Sequence, residues 1–132
     1  MFNRITRGNA VVGGLTVTAN LKQIRSVTNI ADGASMVHTT AGILGGITTA
    51  TLTTARTITT PTASALIAEL GSVVGTSVQF SYINLAAFVA TLAGGTGVTI
   101  VGLATTVATA GHASRWEVVV TAPTTVSVYR IS

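Results

Sequence analysis

Apolar and polar positions alternate with a period of two along most of this chain and switch to helical spacing once. Leu15, Val17, Ala19 and Leu21 alternate with Thr16, Thr18, Asn20 and Lys22, the pattern of a strand with one apolar face. Asp32-Gly33 is a turn signal, and Gly42, Gly45 and Gly46 interrupt the chain around Ile43 and Leu44. Thr48 to Thr59, with Leu52 and Ile58, reads as strand. Thr60 then suits a helix N-cap and Pro61 a first helical position, where no backbone donor is needed. Ala63, Leu66, Ile67 and Leu70 follow at helical spacing, and Gly71 stands where a C-cap glycine belongs. The spacing predicts one short helix over 61–70, with Glu69 facing water.

Beyond the helix the period returns to two. Val78, Phe80 and Tyr82 share one face, and Ala87 to Leu92 reads as a second strand. Gly94-Gly95-Thr96-Gly97 is a turn, followed by a strand from Val98 to Val101. Arg115 to Thr121 places Trp116, Val118 and Val120 on one face and leaves Arg115 outside. Ala122-Pro123-Thr124-Thr125 turns the chain into a terminal strand, Val126 to Ile131. Short strands at such spacing predict an antiparallel sandwich or barrel, and no repeat of fixed period is visible. Residues 1–46 read as an extended N-terminal arm and 47–132 as the β-domain. The expected core is Leu66, Ile67, Phe80, Tyr82, Phe88, Leu92, Val98, Ile100, Trp116, Val118 and Val128.

Composition strengthens the mainly-β reading. Only 8% of the 132 residues are charged, against about 25% in an ordinary soluble domain. Thr, β-branched and strand-favouring, makes up roughly a fifth of the chain. No Asp, Glu, Lys or Arg occurs between Glu69 and Arg115. So neutral a surface on so many strands leaves edges open to association, which predicts a homo-oligomer. A membrane span over Leu85 to Ala110 is the alternative that hydropathy offers. Gly94, Gly95, Gly97 and Gly102 break it, and no aromatic or basic anchors flank it, so no span is expected.

The net charge is +4, with no acid before Asp32. Arg4, Arg7, Lys22 and Arg25 therefore form a candidate docking arm for an acidic partner surface. The basic residues are too sparse, and too little interleaved with aromatics, for a specific nucleic-acid interface. There is no cysteine, hence no disulfide framework and no thiolate chemistry.

Catalytic candidates are few. His112, Ser114 and Glu117 could be drawn as a triad, but no Gly-x-Ser-x-Gly elbow accompanies them. Three acids, Asp32, Glu69 and Glu117, are too scattered for a carboxylate pair. His38 and His112 lack the spacing of metal ligands. Gly94 to Gly97 has neither the lysine nor the following helix of a phosphate loop. No enzyme activity, cofactor or metal is expected.

Several stretches in order carry a resemblance. They are Ile58-Thr59-Thr60-Pro61-Thr62-Ala63 through Leu66-Ile67, Val74 to Phe80, Ile83-Asn84-Leu85, Phe88 to Gly102, and Val126 to Ile131. Together they cover 47–132 and resemble small β-rich modules of phage and large-DNA-virus surface proteins, of the decoration, minor capsid and fibre-head kinds. The resemblance implies a jelly-roll-like β-sandwich and a homotrimer on the virion surface; residues 1–46 lie outside it, and the expectation that the basic arm contacts other capsid proteins rests on charge alone. The alternative it offers is a receptor- or glycan-binding fibre head, with Asn84, His112 and Thr124 as exposed loop residues.

Overall fold

A computed structural model of the chain describes residues 24–132. The elements in order are β1 (Ser26–Asn29), β2 (Met36–Val37), α1 (Thr40–Gly45), β3 (Gly46–Ala50), β4 (Arg56–Thr59), α2 (Ala63–Leu70), β5 (Ser77–Asn84), β6 (Ala90–Ala93), β7 (Val98–Val101), β8 (His112–Ala122) and β9 (Thr125–Arg130). They form a large sheet, β1-β3-β5-β8-β9-β7, and a small one, β2-β4-β6.

The chain is mainly β, as expected, but its large sheet is mixed and its small sheet parallel. From β1 to β6 it alternates between the two sheets, and each of β1 to β4 pairs in parallel with the strand two further along. Those strands therefore trace a parallel coil. Among the described strands antiparallel ladders come with β8, which has β5 on one side and β9 on the other. β7 closes the far edge, parallel to β9. The expected wholly antiparallel arrangement fails because a parallel pair needs a crossover, and here the crossover is a strand of the opposite sheet. Two successive turns differ in length. Ser26 pairs with Gly46, whereas Ile47 pairs with Ser81, because α2 is inserted in the second turn.

Residues 26–46 of the expected lead-in carry β1, β2 and α1 and begin both sheets. The alternating stretch at Leu15 to Lys22 lies outside the described residues. The Thr48–Thr59 run is two strands, β3 and β4, which pair in different sheets.

One face of the large sheet is buried over β3, β5, β8 and β9. Over β3 and β5 it meets the small sheet, where Ala50 and Tyr82 pack with Met36, Ile58 and Ala90. Helix α1 lies against β1, β3 and β5, and α2 against β9. Ile43 of α1 and Leu66 of α2 pack with Phe80, Trp116, Val118, Val120, Val126 and Val128. Thr48 also faces inward and is fully buried; its hydroxyl donates to Ser81 O at 3.4 Å, so the polar group keeps a partner. Of the expected core, Ile67, Val98 and Ile100 pack at its margin, and Phe88 is 41% exposed in the loop before β6.

Helix α2 ends as the sequence indicates. Gly71 has φ 87°, and its N–H donates to Ile67 O, a backbone conformation that a side chain would strain. The N-cap is Thr62 and not Thr60. Its hydroxyl accepts from the Ala65 N–H at 3.2 Å. Thr60 Oγ1 instead accepts from the Gly95 N–H at 2.9 Å. A Cβ on Gly95 would lie 2.6 Å from Thr60 O and 2.7 Å from Pro61 O, so this glycine serves the close approach of two backbones. Thr62→Ala removes the cap and is expected to cost about 1 kcal/mol. A urea titration reads this as a lower midpoint at unchanged slope; an unchanged midpoint would place the cap elsewhere.

Candidate assembly surface

The residues with chemical potential are kept apart. His112 and Ser114 lie on the inward side of β8, whereas Glu117 is on its outward side. Ser114 is fully buried. The three residues therefore do not meet as a triad. Asp32 is held by Arg56 Nε at 2.7 Å and by the Thr53 hydroxyl. The Arg56 guanidinium and Thr53 lower its pKa to about 2. This ion pair ties the β1–β2 connection to β4. Among the described residues no group of three His, Cys, Asp or Glu is placed to hold a metal ion. No described helix is long and apolar enough to cross a membrane.

His38 follows β2 and is 1% exposed. It sits edge-on to Phe80 and Tyr82, with ring centroids 5.3 Å and 6.2 Å away. Burial lowers its pKa to about 4 and raises that of Tyr82 to about 12, so both are neutral in the folded chain near pH 7.

Of the candidate arm, Arg4, Arg7 and Lys22 lie outside the described residues. Arg25 is exposed just before β1. Its Nη1 is 2.5 Å from where a Gly46 Cβ would stand. Two open grooves on the large sheet, about 430 and 400 Å³, share Arg25 and Gln79. The first reaches Glu117 and the second Ser81 and Arg115.

The strand edges are the more informative surface. At one end of the coil β1 borders the large sheet and β2 the small one, and neither has a further strand partner among the described residues. Both edges carry exposed apolar side chains: Val27 on β1 (65%), Val37 on β2 (51%) and Ile24 just before β1 (90%). An open edge with apolar side chains invites another chain.

The loops expected to recognise a ligand are built differently. Asn84 is fully buried at the end of β5. Its side-chain amide donates to Phe88 O, and its Oδ1 accepts from the Ala86 N–H at 3.3 Å. Asn84 thus shapes a loop from which Leu85 and Phe88 project, both more than 40% exposed. No alternating pattern could have shown this, because one side chain's hydrogen bonds set the loop. Thr124 is exposed as expected, and His112 is half-buried.

Near the C-terminus Arg130 lies over the Trp116 ring, 4.8 Å from its centroid. Its guanidinium donates to Leu103 O and Thr105 O at 3.3 and 3.1 Å. Thr105 bridges Thr91 of β6, so Arg130 links the large sheet to the border of the small one. The sequence reading missed this role.

Neither a family model, a curated protein nor a solved structure matches the chain significantly.

Proposed function

We propose that the chain is a structural protein of a virus particle, a homo-oligomeric decoration or minor capsid module without enzymatic activity. The open, apolar β1 and β2 edges at one end of the coil carry this reading. The dispersed titratable groups suit a role in assembly better than one in catalysis. Face-to-face packing of two sheets supports a sandwich-type module of the kind the resemblance implies. A trimer on the particle surface, with Arg25 among the residues docking on other capsid proteins, completes the proposal.

Light scattering on the full chain tests it. An oligomer is expected, and Val27→Lys combined with Val37→Lys should dissociate it at least tenfold more readily while leaving circular dichroism unchanged. Both side chains are exposed, so folding should tolerate the change. A monomeric parent protein, or an oligomer indifferent to both lysines, would sink the edge-assembly reading.

One observation favours a second reading, a glycan-binding fibre head. The grooves beside Gln79 carry amide, hydroxyl and guanidinium groups from Gln79, Ser81 and Arg115, donors suited to a sugar's hydroxyls. Glycan-array binding that Arg115→Ala abolishes would support it.

A further inference from the structure

Between the two apolar clusters lies a void of about 10 Å³. Its walls come from both clusters, Leu92 and Trp116 on one side and Ile58 and Ala90 on the other. Three polar side chains also line it: His38, Tyr82 and Thr106. All three are buried. Among the described residues His38 Nδ1 and the Tyr82 hydroxyl have no hydrogen-bond partner. Thr106 Oγ1 accepts from the Ala90 N–H at 3.0 Å, which leaves its own hydroxyl proton available. Leaving buried polar groups unpaired is costly, and native interiors rarely tolerate it.

We propose that this void is a binding site for a single structural water molecule, held by Tyr82, Thr106 and His38. The water accepts from the Tyr82 and Thr106 hydroxyls and donates to the unprotonated Nδ1 of His38. Three bonds are what a buried water typically makes, and the void has about the room that one water needs. A metal ion is excluded by the donor set, which holds no carboxylate or thiolate and only one imidazole. An apolar guest is excluded by size.

The three partners belong to separate parts of the chain. Tyr82 is in the large sheet, His38 follows β2, and Thr106 lies on the segment bordering β6. The water would thus rivet both sheets and the bordering segment together at the point where the apolar clusters meet.

Oxygen-17 magnetic relaxation dispersion counts long-lived internal waters in the full chain. The parent protein is expected to show one more than Tyr82→Phe, which keeps the ring and deletes the hydroxyl. Waters elsewhere, such as beside the Ser114 hydroxyl, which has no partner among the described residues, cancel in that difference. Equal amplitudes would overturn the proposal. Should the variant fail to fold, a high-resolution crystal structure of the parent protein decides. Density within hydrogen-bond reach of Tyr82 and His38 Nδ1 supports the site. An empty void, or Tyr82 bonded directly to His38, refutes it.

Discussion

Replacing Trp116 with alanine is expected to destabilise the chain by about 3–5 kcal/mol, enough to leave a domain of ordinary stability close to unfolding. The ring is 1% exposed and stands opposite Phe80 across the β5–β8 pair. It packs in the cluster that joins Ile43 of α1 and Leu66 of α2 to β5, β8 and β9. It also borders the void beside His38 and Tyr82, so its removal would enlarge an existing gap that surrounding strands can close only in part. The substitution further removes the face over which Arg130 rests. A contact of that kind adds about 0.5–2 kcal/mol, within the range given. Arg115→Ala, one residue away on the exposed side, should change stability by no more than about 0.5 kcal/mol. Urea titrations of the two variants and their parent measure both. A loss below about 1.5 kcal/mol for Trp116→Ala would mean that the core closes over the cavity.

Acid is expected to weaken the fold in a window set by His38. In the unfolded chain this imidazole takes up a proton near pH 6.5, whereas in the folded chain burial delays uptake to about pH 4. Below pH 6.5 the unfolded state therefore binds more protons. Stability falls as pH drops from 6.5 to 4, then levels off for this group. A shift of this size corresponds to about 3 kcal/mol. Tyr82, whose ring touches that of His38, stays neutral throughout this window. Asp32 adds a second, lower limb. Its carboxylate is favoured in the folded state, and that contribution is lost as pH falls from 3.8 towards 2. Urea midpoints at several pH values separate the limbs. His38→Phe should flatten the upper one and leave the lower one in place. A parent protein equally stable at pH 7 and pH 4 would refute the assignment.

The second half of the chain was largely legible because its strands obey local rules. Val98–Val101 reads directly as β7, and the inward Trp116, Val118 and Val120 follow from alternation. Helix α2 and its glycine stop were equally visible, although the cap shifted from Thr60 to Thr62. The coil was hidden for a physical reason. Its turns differ in length, so no fixed repeat marks them, and inward positions such as Thr48 carry hydroxyls that read as polar. Phe88 was placed inside by pattern and stands outside because Asn84 draws its loop back. That β1 and β2 are edge strands among the described residues could not be read at all, since an edge is defined by which strands arrive beside it.

Where the coil has lengthened, it has done so without cost to its own order. The second turn takes in α2, yet β3 meets β5 residue for residue and β4 meets β6 likewise. The corner after α2, residues 71–75, is exposed throughout. Added sequence at such a corner need only leave and return at the same two points, and the cost of closing a longer loop grows slowly with its length. The fold is thus suited to carrying passengers: a foreign peptide grafted near Val73 and Val74 would ride on the outside of the turn while the strands beneath keep their partners.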